Sequence, residues 1–145
     1  MDENVELLQY IYKNSEMGVF TINELLKDIE EKDNKIKGLA KDELDSYEKY
    51  KERAFELIEK YDYEVEKNKL TSKIMSSMGI SHEVKSDNSD ASISHMLTEG
   101  ITMGIVDMET KIKNYKDKVE KDIMKLAKEF LKFQQDELEK LKEYM

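Results

Sequence analysis

The chain has 145 residues, of which 39% are charged and 39% hydrophobic, with a formal net charge of −9, no Cys, no Pro, no Trp and only 5 Gly. The lack of Cys excludes disulfides and thiolate metal sites. The acidic balance argues against general binding to phosphate backbones, and no apolar run approaches the ~20 residues that span a bilayer. Few helix breakers, and charge spread between apolar positions, suit amphipathic helices with solvated outer faces. One domain, residues 1–145, is expected, and at this size it would bury roughly 68–70% of its unfolded-chain surface.

Val5, Leu8, Tyr12, Ser15, Val19, Ile22, Leu26 and Ile29 recur at alternating steps of three and four, which predicts a first helix over about residues 3–31. The polar stretch Glu31-Lys32-Asp33-Asn34-Lys35 ends or bends it. Ile36, Ala40, Glu43, Tyr47, Tyr50, Ala54, Leu57 and Tyr61 predict a second helix over about 36–61. The pattern weakens over about 62–89, a crossover in which Leu70, Ile74, Met75, Met78 and Ile80 mark a short helix. The loop Ser86-Asp87-Asn88-Ser89-Asp90 is rich in helix-capping residues. A third helix over about 90–114 carries Ile93, Leu97, Gly100, Ile101, Gly104, Ile105, Met108 and Ile112. A fourth, over about 118–143, carries Val119, Ile123, Leu126, Phe130, Phe133, Glu137 and Leu141. No segment alternates with period two, so strands are not expected.

The two halves resemble each other. Met17-Gly18-Val19 parallels Met103-Gly104-Ile105, 86 positions on, and Leu39-Ala40-Lys41-Asp42-Glu43-Leu44 parallels Leu126-Ala127-Lys128-Glu129-Phe130-Leu131, 87 positions on. This predicts two related helical hairpins joined by a crossover long enough to run the length of the bundle, so that the third helix lies parallel to the second. The fold class read from the sequence is therefore all-α, a four-helix bundle with ferritin-like connectivity.

Ferritin-like dimetal sites take a Glu from each of two helices and Glu-x-x-His from the other two, because positions i and i+3 share a helix face. Here Gly79 stands three residues before His82, and Ser92 three before His95. Under the repeat, Glu16 maps to Thr102, while Glu43 and Ser46 map to Phe130 and Phe133, so the dinuclear pattern is broken. A mononuclear N/O site remains as the alternative, with His95 and Glu99 at i and i+4 joined by Glu16 or Glu43. A plain surface His–Glu pair is the favoured reading of His95 and Glu99.

Gly18, Gly100 and Gly104 lie within helical patterns and are expected to have packing reasons. Met75, Met78, Met96, Met103 and Met108 are read mainly as core fillers. Tyr12, Tyr47 and Tyr50 need hydroxyl partners if buried, with Glu16 and Glu43 as natural acceptors. A simpler reading of Glu43 rotates its helix so that Leu44 points inward. No nucleophile arrangement, phosphate loop or basic patch is present.

Asn14-Ser15-Glu16-Met17-Gly18-Val19 with Thr21-Ile22-Asn23, and Met96-Leu97-Thr98-Glu99-Gly100-Ile101-Thr102-Met103-Gly104-Ile105-Val106-Asp107, together with their spacing, resemble an uncharacterised family of small ferritin-like bundle proteins from Gram-positive, often spore-forming, bacteria. The resemblance covers nearly the whole chain. It implies a ferritin-like fold and no established reaction, and no catalytic residue is carried over. The missing Glu-x-x-His separates the chain from rubrerythrins and ferritins and argues against iron oxidation or storage.

The expectation is a non-enzymatic helical bundle with a binding or structural role and no cofactor. A homodimer or a protein partner is the expected interaction, with neither nucleic acid nor membrane. The acidic N-terminus has no basic or apolar leader region, so a cytoplasmic location is expected. The competing expectation is a divergent metal-binding bundle holding iron or manganese on Glu16, Glu43, His95 and Glu99.

Overall fold

The computed structural model describes residues 2–65 and 68–145; the side chains of Leu70 and Ile74, assigned above to the apolar patch of the crossover, lie outside the described set. Among the described residues the chain is all-helical, with α1 (Glu3–Asp28), α2 (Lys37–Lys60), α3 (Leu70–Ser86), α4 (Asp90–Asn114), α5 (Lys121–Leu141) and a terminal 3-10 turn (Lys142–Tyr144). None of these helices is long and apolar enough to cross a membrane.

Local chemistry sets the helix ends. Asp2 accepts a hydrogen bond from the Asn4 N–H at 2.8 Å, and Glu3 and Glu6 follow in the first turn, where negative charge suits the helix dipole. Ser89 caps α4 by accepting from the Ser92 N–H at 3.2 Å, as the capping-rich loop leads one to expect. α1 stops at Asp28, three residues before its expected end at about residue 31, yet Ile29, the last member of its apolar stripe, is fully buried. The stripe thus outlasts the helix, because burial continues into the turn.

Polar ties at each end fix the helix directions. At one end, Asp90 accepts from the backbone N–H groups of Lys35 (3.2 Å) and Ile36 (3.4 Å) and from Asn34 Nδ2 (3.0 Å). The starts of α2 and α4 therefore lie side by side. At the other end, the Glu120 N–H donates to Asn4 Oδ1 at 2.8 Å, and Tyr61 Oη and Lys60 Nζ donate to Asp122 at 2.7 and 2.6 Å. This joins the starts of α1 and α5 to the end of α2. α2 and α4 run one way, and α1 and α5 the other. α3 lies along the second half of α1, with Ser81 Oγ donating to Asp28 Oδ2 at 2.9 Å.

α1 packs closely on α2, α4 on α5, and α5 also approaches α1 and α2. One core runs through Leu7, Leu8, Ile11, Tyr12, Ala54, Ile58, Met108, Ile123 and Phe130. A second, around the α1–α2 loop, holds Leu25, Ile29, Ile36, Ile93, Ile105 and Leu141, and Ile80 and Val84 of α3 cover it. Between α2 and α5 stands an aromatic wall. Tyr47 meets Phe133 edge-on at 5.0 Å between centroids, and Tyr50 lies 5.3 Å from both Phe130 and Phe133.

Of Gly18, Gly100 and Gly104, two have a packing reason. A Cβ on Gly18 would stand 2.8 Å from the Tyr47 ring, and one on Gly104 would stand 2.7 Å from Gln134 Nε2. Gly100 differs: a Cβ there meets nothing within 4 Å. The methionines also depart from expectation. Met108 is buried, but Met75, Met78 and Met103 are exposed, because they fall on the outer faces of α3 and α4.

Candidate functional site

α1 and α4 do not come together as their hairpin partners do. Between them lies a cleft of about 290 Å³. Its walls are Met17, Gly18, Thr21 and Ile22 of α1 and Met96, Leu97, Gly100 and Ile101 of α4; Ile80 of α3 also borders it. Its polar side chains are Glu43 and Tyr47 of α2 and Asn14 and Thr21 of α1. The lining is mostly apolar and holds one ionisable carboxyl and no cation.

Glu43 arrives there by helix geometry. It shares the inward stripe of α2 with Ile36, Ala40, Tyr47, Tyr50 and Ala54, and it is 1% exposed, while Leu44 is only half-buried. The rotation that would have turned Leu44 inward does not occur. Glu43 Oε2 is buried without a hydrogen-bond partner. An ionised carboxylate in that position would be costly, so the group holds its proton. Burial, and secondly the charge of Glu137, push its carboxyl up to about 8. Glu137 of α5 is itself 4% exposed and is raised by burial, with Lys140 at 3.4 Å opposing the shift.

A polar chain runs beside the cleft. Tyr10 Oη donates to Asp107 at 3.0 Å, and Asn14 Nδ2 donates to Tyr10 Oη at 3.3 Å. Gln134 Nε2 of α5 donates to Asn14 Oδ1 (3.4 Å) and to Tyr47 Oη (3.5 Å). Gln134 Oε1 and Glu137 Oε2, like Glu43 Oε2, are buried acceptors without a donor. Tyr47 thus partners Gln134, and Tyr50 Oη donates to the Glu129 carbonyl at 3.3 Å; the sequence had pointed to Glu16 and Glu43.

The four residues singled out from the sequence go to three places. Glu16 is buried, but its Oε1 accepts from the Asn68 N–H (2.9 Å) and Asn68 Nδ2 (3.1 Å), with Lys73 Nζ at 3.5 Å. Burial would raise its carboxyl; the Asn68 bonds and the lysine outweigh that and hold it below the usual range. Glu16 therefore anchors the crossover to α1. Glu43 faces the cleft. His95 and Glu99 form a 3.8 Å pair with side chains 72% and 74% exposed, on the outer side of α4. Among the described residues, no three of His, Asp and Glu gather closely enough to hold a metal ion.

Neither Gln134 nor Glu137 was among the site residues expected from the sequence. Glu137 had a signal: it is the one charged residue in the α5 stripe, as Glu43 is in the α2 stripe. Comparison with known families, with curated proteins and with solved structures finds no match.

Proposed function

We propose that this protein is a non-enzymatic binding bundle of ferritin-like connectivity, and that its ligand site is the cleft between α1 and α4. The observation that carries this reading is Glu43: a carboxyl 1% exposed, lining an apolar cleft, with one oxygen left without a partner. Interiors seldom leave such a group unsatisfied, and an apolar pocket with a few convergent polar groups is the usual form of a small-molecule site. The parallel course of α2 and α4, bridged by the crossover, supports the ferritin-like connectivity.

The proposed hairpin duplication has support of its own. Gly18 and Gly104 are equivalent in the repeat, and so are the residues they accommodate, Tyr47 and Gln134. Each hairpin thus keeps a glycine in its first helix for a large side chain from its second.

The test is a screen of small fragments by thermal unfolding, repeated on Gly100→Leu. The new side chain has free space to enter at the cleft. A ligand at ten times its Kd stabilises by about 1.4 kcal/mol. Fragments that stabilise the parent and lose that effect in Gly100→Leu support the cleft; equal stabilisation of both proteins refutes it.

The competing proposal, a metal-binding bundle, has one supporting observation: Glu43 and Glu137 bring two buried carboxylates from α2 and α5 into mutual influence. Iron or manganese analysis of protein purified without chelator separates the two readings. Stoichiometric metal that Glu43→Gln abolishes would favour the metal.

A further inference from the structure

Building on that cleft reading, we infer that its ligand is a primary ammonium compound with a compact apolar body, the nitrogen meeting Glu43 and the body lying between Met17, Ile22, Leu97 and Ile101. Among the described residues, the buried side-chain polar atoms without a partner are three acceptors and two hydroxyls, those of Ser15 and Thr98, and the three acceptors are all carboxyl or amide oxygens. Glu43 Oε2, Gln134 Oε1 and Glu137 Oε2 are all buried acceptors lacking a donor. The Asn14 amide is already engaged on both sides, its Nδ2 with Tyr10 and its Oδ1 with Gln134. An ammonium brings three N–H donors and a positive charge, which is what this group of atoms lacks.

Charge agrees with this. The titratable groups around Glu43 are Glu137 from α5 and Tyr47 one turn along α2, while α1, α3 and α4 present no charged side chain to the cleft. Lys140, which pairs with Glu137, is largely exposed. A cationic ligand therefore enters a site whose lining carboxyl becomes negative on losing its proton and which presents no positive charge, and the overall charge of −9 favours its approach. Size sets an upper limit. A cavity of about 150 Å³ admits benzene, so the volume here suits a single ring with a short amine arm.

The experiment titrates the full chain with phenethylamine and with its neutral counterpart, 2-phenylethanol, following the backbone amide signals of Gly18 and Gly100 by NMR. Both glycines line the cleft, and with 5 Gly in the chain their signals are readily separated. The expected result at pH 8 is that the amine binds about tenfold or more tightly than the alcohol, the margin a charge-assisted hydrogen bond supplies. Glu43→Gln should bring the two to parity, and Gly100→Leu should remove both. Because the ammonium requires ionised Glu43, the amine should bind about fivefold more weakly at pH 7 than at pH 8, while the alcohol stays unchanged.

The outcomes separate the two levels of the reading. Alcohol bound as tightly as amine overturns the ammonium inference and leaves the cleft in place. No response of either glycine to either probe overturns the cleft itself. Amine-induced shifts that survive both Glu43→Gln and Gly100→Leu mean general attraction to an acidic surface and also overturn the inference.

Discussion

Replacing Glu43 with Gln should stabilise the protein, increasingly so as pH rises. The carboxyl ordinarily titrates near 4.5 and here near 8, so between those values the folded chain holds a proton that the unfolded chain has released. Stability falls with rising pH wherever the folded state binds more protons. The contribution is fully present below 4.5 and is lost as pH climbs through 8. Each pH unit inside the interval costs about 1.4 kcal/mol, which gives about 3 kcal/mol at pH 7. Gln has the shape of the neutral acid and no such slope. The isoelectric point near 4.9 makes pH 6 a practical lower limit for the assay. Urea unfolding of both proteins at pH 6 and pH 8 should show the advantage of Glu43→Gln growing by about 2 kcal/mol. Titration of Glu137 occurs in both proteins and largely cancels in the difference. A difference independent of pH, or a variant less stable than the parent at pH 8, would mean that Glu43 is ionised and well partnered in the folded chain, and the reasoning would fail.

The helical glycines should respond in opposite directions. Gly100→Ala meets nothing and gains helix propensity, so it should raise stability by about 0.5–1 kcal/mol. Gly18→Ala drives a methyl into the buried Tyr47 ring and should lower stability by about 1–2 kcal/mol, since overpacking outweighs propensity. Thermal melts that shift the same way for both would contradict this packing. Phe130→Ala removes a fully buried ring from the α2–α5 wall and should cost about 3–5 kcal/mol in denaturant unfolding. His95→Ala and Glu99→Ala, on an exposed pair, should each change stability by no more than about 0.5 kcal/mol; a larger loss would show that the pair does structural work.

The helices were legible because the apolar spacing is strong. Ile36, Ala40, Tyr47, Tyr50 and Ala54 of the α2 stripe are all buried, and Ser89 caps α4 as its residue type suggests. The polar member of that stripe, Glu43, was visible as an anomaly, and the anomaly is where the cleft lies. Helix phase also separated Met108, which lies in the α4 stripe and is buried, from Met103, which lies off it and is exposed; reading the methionines together as core fillers by residue type overrode that phase. Periodicity could not tell which glycine is needed. Gly18 and Gly104 depend on side chains brought up from another helix, and Gly100 on nothing nearby. Residue type drew Glu16, Glu43, His95 and Glu99 together as ligands, whereas helix phase sends Glu16 and Glu43 inward and His95 and Glu99 out.

Side-chain size accounts for the cleft's position. Under the proposed duplication, α2 pairs with α5 and α1 with α4 across the same axis. The α2–α5 side is filled by Tyr47, Tyr50, Phe130 and Phe133, rings large enough to meet from both helices. The α1–α4 side offers Gly18, Thr21 and Gly100 among flexible or branched aliphatics and no ring. Close-packed interiors leave few voids, so an unfilled volume on only one of two related sides reflects which residues stand there. The same asymmetry places the polar groups: Phe130 occupies the repeat position of Glu43, and Tyr50 that of Glu137. Each hairpin has therefore put a carboxylate where the other has a ring, and both carboxylates ended up buried, one of them facing the open side. A duplication serving stability alone would gain from rings at all four positions, since burying carboxyls without partners costs free energy. Under the proposed duplication, Glu43 stands beside a cleft that a ring at its position would help to close, and this supports the proposal that the cleft binds a ligand.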